Sequence, residues 1–517
     1  MGGRVVGNND HLRRYRYDHY SGGMKKVASG FSPLIAVDRR DRKPLHVQIY
    51  EGYRRAILRH NLSAGQQVPS SRQLAVELKV SRIPVLNAYA QLLAEGYFEA
   101  RTGAGTFVSN SLAEHRKAGR NRTAPAPRSN SSPRPVAPHS NVVPRFHPSP
   151  WIYGWGAFGV GQVCLDHFPF PLWSRLLAQH GQRVHARALH FSDPMGSKEF
   201  RAAIATYLRT VRAVNCDVEQ IMVVSGSQQA LEITARVLLE ARSRVWIEEP
   251  SYWSIRRVLT LAGCVPVPVP VDNEGLNVAG GIKAHKHARA AFVTPSHQFP
   301  LDSTMSAARR IQLLEWAEEV GAWIIEDDYD SEYRYEGMPI ASLQGLDHNE
   351  RVIYIGTFSK TLFPSLRVGY LVIPHDLVGR FLDVRLAMDL YPPHLYQAVL
   401  THFIREGHFA RHVRRTKQLY HERRGSLIAS LEKQFGDSIE ILGADAGLHL
   451  VAVIPQEIQD EQVAERAAKE RLWLFPLSRT YFGTPVQGLI LGFGSTPTKA
   501  IPEAVRHLER IVGGLKA

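Results

Sequence analysis

A stretch rich in proline and serine, residues 110–150, divides this 517-residue chain into two parts. It contains the run NRTAPAPRSNSSPRPVAPHSNVVPRFHPSP, which offers few apolar side chains that folding could bury. A run of this composition is typical of a linker between domains. The chain is also too long for one hydrophobic core, so we expect a separate domain on each side of the linker.

The excess of basic over acidic residues is confined to the part before and within this linker. Residues 1–150 hold 24 Lys and Arg against 9 Asp and Glu, whereas the rest of the chain holds 39 of each. The whole formal net charge of +15 therefore lies in the first 150 residues. This asymmetry indicates an anionic partner for the N-terminal part alone, although a basic disordered tail would also produce it.

Several classes of protein are disfavoured by composition. No apolar run approaches the roughly 18 residues of a membrane span, and the first thirty residues lack the apolar core of a signal peptide. The three cysteines, Cys164, Cys216 and Cys264, have no spacing typical of metal ligands or of a disulfide framework. We therefore expect a cytoplasmic protein without a metal site and without a membrane partner.

The N-terminal part has the pattern of a helix-turn-helix. Residues 1–43 are polar and irregular, as in a flexible arm, and a helical pattern begins near Pro44. Ser70 followed by Gln73 predicts a capped helix that runs to about Leu78. Ser81 can cap a second helix that runs to about Glu95, and this helix would enter the DNA major groove.

A β-hairpin is predicted directly after these helices. The run YFEARTGAGTFV follows Gly96, and its glycines would let the backbone approach a surface closely. The residues that the helices and this hairpin would present to DNA are Ser71, Arg72, Ser81, Arg82, Asn87, Tyr89, Arg101, Gly103 and Gly105. A small helical domain with solvated arginines is the alternative interpretation of the same pattern.

The motifs PSSRQLA, VSR, AYAQL, EGY and GAGTFV closely resemble the winged helix of GntR-type regulators. The resemblance covers about Pro44–Ser109 and implies binding to double-stranded operator DNA. The chain departs from it at Pro84, where the family usually has threonine. Proline is tolerated in a first helical turn, but the hydroxyl contact to DNA expected at this position is lost.

From Trp151 onward, strand-like and helix-like runs alternate, which is typical of an α/β domain with a largely parallel sheet. The strand-like runs are QIMVVSG, RVWIEE, AAFVTP, AWIIEDD, VIYIGT and RVGYLVIP. Functional residues of such domains gather where the strands end.

Lys360 lies in such a place, within the run TFSKTLFPSLRVGY between two apolar segments. A lysine amine can form a Schiff base with an aldehyde such as that of pyridoxal 5'-phosphate. The run VVSGSQQALEI reads as a strand, a turn and a helix start, which is an anion site by geometry, and WIIEDDYDSEYRY ends a strand in carboxylates and tyrosines. Each of these three runs alone is weak evidence for a functional site, but together they favour a cofactor site.

The segment from about Leu165 to Phe493 resembles fold-type I aminotransferases, on the blocks DPMGSKEFRAAIATYL, SGSQQAL, EEPSYW, TPSHQFP, EDDYDSEYRY and TFSKTLFPSLRVGY. The resemblance implies that Lys360 forms the Schiff base, that Asp327 pairs with the pyridine nitrogen and that Tyr329 contacts the phenolic oxygen. The further cofactor-binding residues that it implies are Gly226, Ser227, Gln228, Tyr252, Gln298, Thr357 and Arg367. Among these, Gln298 falls where aminotransferases usually carry an asparagine.

Two departures from the aminotransferase pattern bear on function. HQFPLD replaces the usual Pro-Thr-Gly or Pro-Ser-Gly turn, and GLILGFG lacks the arginine that usually binds a substrate carboxylate. The nearest candidate for binding an effector is Arg479, which could equally be a surface arginine.

A winged helix, a linker and an aminotransferase-like domain in one chain are similar to the MocR-type branch of GntR regulators. The resemblance implies a multidomain protein with an α+β winged helix-turn-helix and an α/β fold-type I domain. The expected divisions are a basic arm (1–43), the winged helix (44–109), the linker (110–150) and the pyridoxal-phosphate-binding effector domain (151–517).

The function implied is a pyridoxal-phosphate-dependent transcription regulator that senses an amino compound by external aldimine formation at Lys360. A homodimer is expected, because fold-type I domains usually pair. The resemblance further implies a domain swap, in which the winged helix of one chain packs against the large domain of the other. The alternatives are an active aminotransferase with an appended DNA-binding module and a DNA-binding scaffold that has lost the cofactor. The effector, the operator and the direction of regulation stay open.

Overall fold

The computed structural model describes residues 35–111, 149–182, 190–338, 340–443 and 445–516. Most of the predicted arm and almost all of the predicted linker lie outside these residues. The chain divides into two compact units, Met1–Arg134 and Pro135–Ala517, so the division falls within the predicted linker. Within the described ranges no helix is both long and apolar enough to cross a membrane.

In residues 35–111, the described part of the first unit, three helices are followed by a hairpin. The helices are α1 (Leu45–Leu58), α2 (Ser71–Glu77) and α3 (Arg82–Ala94), and the strands are β1 (Phe98–Arg101) and β2 (Gly105–Val108), which pair antiparallel. Ser70 caps α2 as predicted, since its side chain accepts a hydrogen bond from the Gln73 amide. Ser81 occupies the N-cap position of α3 without a side-chain cap bond. The predicted helix-turn-helix and hairpin are therefore present.

Tyr89 lies in the core of this unit, which corrects the prediction that it contacts DNA. Its ring packs edge-to-face against Tyr53 and Phe98, at centroid distances of 5.7 and 5.2 Å. Its hydroxyl donates to the Pro69 carbonyl at 2.8 Å and lies 3.2 Å from the Tyr53 hydroxyl. Tyr89 stands four residues after Val85, which is fully buried, so helical periodicity turns both toward the core.

Tyr89→Phe should therefore destabilise the first unit while leaving DNA contacts in place. The change removes a buried hydroxyl donor and leaves the Pro69 carbonyl without it, at a cost of about 1–2 kcal/mol. Thermal unfolding checks this, with Tyr97→Phe as control, because the Tyr97 hydroxyl accepts only a 3.3 Å bond from the exposed Arg54 side chain. Unchanged stability with weakened DNA binding would restore Tyr89 as a DNA contact.

The second unit contains an eight-stranded sheet flanked by helices. Its strand order is β3-β10-β9-β8-β7-β4-β5-β6. The five strands β9, β8, β7, β4 and β5 are mutually parallel, whereas β10 and β6 pair antiparallel with their neighbours. The bounds are β3 Ile221–Val224, β4 Arg244–Glu249, β5 Val265–Asp272, β6 Gly275–Leu276, β7 Ala290–Val293, β8 Trp323–Asp328, β9 Val352–Thr357 and β10 Gly369–Val372. The six predicted strands and the largely parallel sheet are confirmed.

A smaller antiparallel sheet follows, with the strand order β11-β12-β14-β13. Its strands are β11 (Glu440–Leu442), β12 (His449–Val453), β13 (Phe475–Pro476) and β14 (Gly488–Gly492). The helices of the unit are α4 Pro150–Tyr153, α5 Phe170–Gln182, α6 Lys198–Val211, α7 Ser227–Leu238, α8 Trp253–Leu261, α9 Val278–His285, α10 Ala307–Val320, α11 Val378–Met388, α12 His394–Arg405, α13 His408–Phe435, α14 Asp460–Lys469 and α15 Ile501–Lys516.

The large sheet fixes the positions of the functional side chains, because its central strands are buried along their whole length. Every residue of β7, β8 and β9 is buried, which explains why β7, β9 and the first half of β8 read as apolar runs, whereas β8 ends in three buried carboxylates. Their carboxyl ends meet at one edge of the sheet, and the segments that follow them carry the polar side chains. A site at this edge is the usual arrangement in α/β domains.

Candidate functional site

A cavity of about 530 Å³ opens at this edge of the large sheet. Its walls include most of the residues that the sequence nominated for the cofactor. Those lining it are Ser227, Gln228, Tyr252, Asp327, Tyr329, Thr357, Lys360 and Arg367. The volume is within the range of small-molecule sites.

Lys360 follows β9 and directs its amine into the cavity. Burial lowers the pKa of this amine, the carboxylates of Asp330 and Asp327 raise it in part, and Arg367 lowers it further. The result is a pKa below the ordinary value for lysine, which favours the neutral, nucleophilic amine. Gly161, at φ +75°, passes close by, and a Cβ there would lie 2.5 Å from the Lys360 Nζ.

Asp327 lies near the end of β8, with one carboxylate oxygen that lacks a partner. The residue is buried, and its Oδ1 accepts no hydrogen bond from the described protein atoms. Burial and the neighbouring Asp328 raise the pKa of Asp327 to about 7, although Lys360 acts in the opposite direction. An orphaned buried acceptor of this kind suits a donor supplied by a bound molecule.

An anion cradle forms where α7 begins. Gly226 is the N-cap of α7 at φ +83°, and Ser227 and Gln228 of the first helical turn line the cavity, at the end of a helix where anions bind. The Arg367 guanidinium packs against Gly226, and a Cβ there would lie 2.9 Å from Arg367 Nη2. Arg367 also donates to the Ser225 carbonyl at 2.6 Å, which holds the guanidinium in place. Thr357 adds a hydroxyl, which accepts from the Ser359 amide at 3.1 Å.

Gln298 does not line the cavity, which corrects the cofactor contact expected of it. Its amide donates to the carbonyls of Pro250 and Phe299, both at 2.7 Å, and its oxygen accepts from the Leu301 amide at 3.0 Å. These three hydrogen bonds hold the Gln298 side chain inside the turn and stabilise it. Phe299 instead lines the cavity, where its ring meets Tyr252 edge-on at 6.0 Å.

Arg479 is also placed away from the cavity. Its side chain is 56% exposed and forms an ion pair with Glu461 at 2.7 Å. The prediction that it binds the effector is therefore not supported by this arrangement. Two cavity-lining residues that sequence reasoning missed are Arg257, whose guanidinium lies over the Trp253 ring at 5.1 Å, and His449 on β12.

On the first unit, the structure leaves most of the nominated DNA-binding side chains accessible. Arg72, Ser81, Asn87, Arg101, Gly103 and Gly105 are exposed, and Ser71 and Arg82 are half-buried. Arg82 Nε donates to the Ser71 hydroxyl at 3.2 Å, which ties the start of α3 to the start of α2. Arg101 stacks on Phe107 at 4.4 Å and pairs with Glu99 at 2.6 Å.

Both parts of the chain match known families. The model of "Bacterial regulatory proteins, gntR family" matches residues 45–108, and "Aminotransferase class I and II" matches residues 156–496. The "Probable rhizopine catabolism regulatory protein MocR" of Rhizobium meliloti is 39% identical over 483 residues, which is 92% of this chain and 95% of that protein. The chain belongs to the MocR-type branch of the GntR regulators.

Other comparisons agree with this placement. The "HTH-type pyridoxine biosynthesis transcriptional regulator PdxR" of Corynebacterium glutamicum is 31% identical and covers 89% of this chain and 94% of its own. The structure of the α-aminoadipate aminotransferase LysN from Thermus thermophilus matches the fold with a TM-score of 0.68, at 24% identity. It covers 74% of this chain and 98% of its own.

This MocR-type chain is a DNA-binding transcription regulator, and the cofactor of its large domain is pyridoxal 5'-phosphate. Two observations show that the cavity suits this molecule. The orphaned Asp327 oxygen can accept a hydrogen bond from a protonated ring nitrogen, and the cradle of Gly226 and Arg367 can take a phosphate. The mixed eight-stranded sheet matches the expected fold-type I architecture.

Proposed function

We propose that this regulator senses an amino compound through the bound cofactor and converts that event into a change of DNA binding. The observation that carries the proposal is the Lys360 amine, with its lowered pKa, in the same cavity as the orphaned Asp327 oxygen. Pyridoxal phosphate supplies an aldehyde carbon that a primary amine can attack and that a second amine can take over.

The residues around the cavity have separate roles in this proposal. Lys360 would hold the aldehyde carbon, Asp327 the ring nitrogen and Tyr329 the phenolic oxygen. The phosphate would be held by Gly226, Ser227, Gln228, Thr357 and Arg367, and Tyr252 would stack on the ring. An amine effector that competes with the Lys360 amine would release this side chain and so change what the cavity walls contact.

Such an exchange can regulate DNA binding only if two conformations differ in affinity for the effector. We propose that the chain acts as a domain-swapped homodimer, in which the winged helix of one subunit packs against the large domain of the other. The DNA surface would be the N-terminal part of α3 with the hairpin, because α3 begins with the half-buried Arg82 and the hairpin carries the exposed Arg101. The operator contacts proposed are Ser71, Arg72, Ser81, Arg82, Asn87, Arg101, Gly103 and Gly105.

An active aminotransferase with a DNA-binding appendage is the second candidate, and the retained Lys360 favours it. The arginine expected on the C-terminal strand is absent, since β14 reads GLILG, and Arg479 is engaged with Glu461. Transamination requires a tight geometry around the reacting carbon, where a shift of about 1 Å can cost about 100-fold in rate. We therefore favour the sensor over the enzyme.

Titration with candidate amines, in the presence and absence of a 2-oxo acid, tests this choice. A sensor should show an amine-induced change in cofactor absorbance together with a change in DNA affinity, and its conversion to the pyridoxamine form should be slow or absent. Measuring all three on one preparation prevents confusion between binding and turnover. Repeated turnover at roughly 1 per second or faster would favour the enzyme.

A further inference from the structure

His297 is buried between two carboxylates that approach its two ring nitrogens. Its Nε2 forms an ion pair with Asp302, and its Nδ1 lies 2.7 Å from Asp330 Oδ1. Each of the three residues is at most 8% exposed. When both carboxylates are ionised they can only accept, so a proton then lies on each ring nitrogen. The contacts therefore favour a doubly protonated imidazolium.

Tyr329 makes the third contact of this ring. Its hydroxyl oxygen lies 2.8 Å from His297 Nδ1, the same nitrogen that faces Asp330. A protonated Nδ1 has no free lone pair, so it cannot accept the Tyr329 proton. Instead, the Nδ1–H donates a hydrogen bond that is shared between Asp330 and the Tyr329 oxygen. The Tyr329 hydroxyl can then donate its own proton to a group within the cavity, which Tyr329 lines.

The arrangement is fixed by a loop of the smaller sheet. Asp302, at φ +67°, accepts hydrogen bonds from the amides of Asp445 at 3.0 Å and Ala446 at 3.3 Å. Gly447 packs so closely that a Cβ there would overlap the His297 ring. Asp302 is the last residue of the HQFPLD turn, where the resembling enzymes usually have glycine. The presence of Asp302 in place of glycine thus supplies one of the two carboxylates that contact His297.

We propose that His297, held between Asp302 and Asp330, is a positioning residue that directs the Tyr329 hydroxyl proton into the cavity, toward the phenolic oxygen of the cofactor. The inference rests on the proposed placement of the cofactor and adds a residue that acts on it through Tyr329. A hydrogen bond donated to that oxygen favours its deprotonated form. It therefore lowers the pH at which the bound cofactor titrates.

The charges around His297 agree with this assignment, whereas burial raises the pKa of Asp330 and the charge of His297 opposes that rise. Burial would lower the pKa of His297, but the Asp330 and Asp302 carboxylates raise it well above its ordinary value. His449, the other imidazole nearby, has its pKa lowered to about 3 by burial and by His297, so it stays neutral. The other groups that act on these residues are Asp327 and Glu248 at Tyr329, and Lys360 at Asp330.

The test is a double-mutant cycle that is read from the absorbance of the bound cofactor against pH in the full-length protein. Asp330→Asn lets His297 become neutral, so that Nδ1 accepts the Tyr329 proton and withdraws it from the cavity. The part of the shift that depends on Tyr329, taken as the difference between the shifts in the wild-type and Tyr329→Phe backgrounds, should be a rise of about one unit, the size expected for one hydrogen bond to a charged group. This difference removes the direct effect of losing the Asp330 charge near Lys360. In a Tyr329→Phe background the same change should cause no rise.

Two matched variants separate this effect from a general loss of buried charge. Asp302→Asn removes the carboxylate that faces Nε2 of the same His297 ring, but it leaves the Nδ1–H directed at Asp330. Its shift in half-titration pH should therefore be smaller than that of Asp330→Asn. Glu332→Gln removes a buried carboxylate that accepts from Tyr207 at 2.7 Å and should leave the titration unchanged. Equal shifts for Asp330→Asn and Asp302→Asn, or a rise that persists without the Tyr329 hydroxyl, would overturn the inference.

A second measurement does not depend on how well these variants fold. The 15N shifts of the His297 ring, assigned by comparison with His297→Gln, should show both nitrogens protonated at mildly alkaline pH. A neutral ring overturns the inference. A cofactor band that depends on Lys360 but shows no coupling between Asp330 and Tyr329 overturns only the role of His297. The absence of any Lys360-dependent band overturns the proposed cofactor placement as well.

Discussion

Lys360→Ala should abolish the covalent attachment of pyridoxal phosphate and its visible absorbance band. Among the described residues, Lys360 is the lysine that lines the cavity, and its lowered pKa makes the amine available for attack on an aldehyde. Alanine removes the nitrogen, so borohydride reduction followed by peptide mass spectrometry should recover no adduct at this position. The expected loss is essentially complete.

The fold should survive this change, because no hydrogen bond of the described protein depends on the Lys360 amine. Lys198→Ala is the matched control, since Lys198 is exposed and forms only a loose ion pair with Glu219 at 3.8 Å. It should retain the adduct and the band in full. An adduct that persists in Lys360→Ala would show that another amine holds the cofactor, and the sensing proposal would then fail.

Arg82→Ala should weaken operator binding by about 10- to 100-fold, the range expected when one specific contact is lost. Arg82 is the first residue of α3, and the N-terminal residues of such a helix contact base edges. The measurement is fluorescence anisotropy with a duplex obtained by in vitro selection with the full-length protein. Repeating it at several salt concentrations separates a base contact from a phosphate contact, since loss of the latter reduces the salt slope by about one.

Arg59→Ala is the charge-matched control for this measurement. Arg59 follows the last residue of α1, is exposed, and carries the same charge outside the proposed DNA surface. It should change affinity little. Equal losses in Arg59→Ala and Arg82→Ala would mean that the first unit attracts DNA by net charge alone.

The sequence by itself determined the elements whose rules are local. Ser70 predicted the start of α2 because a cap bond spans three residues, and apolar runs predicted β7, β9 and the first half of β8 because the buried strands of a parallel sheet are mainly apolar. Lys360 and Asp327 were found in the same way, since both follow or end such strands. Strand ends of a parallel sheet meet at one edge, so sequence order was enough to bring these two residues to one cavity.

Only the tertiary structure decided which way side chains of irregular segments face. Gln298 and Phe299 are neighbours in one turn, and the bond from Gln298 to the Pro250 carbonyl, 48 residues away, turns the amide inward and leaves Phe299 to the cavity. Asp302 reaches His297 because amides of Asp445 and Ala446, more than 140 residues away, hold its carboxylate. Such contacts depend on packing between distant segments, and no local pattern of residue types encodes them.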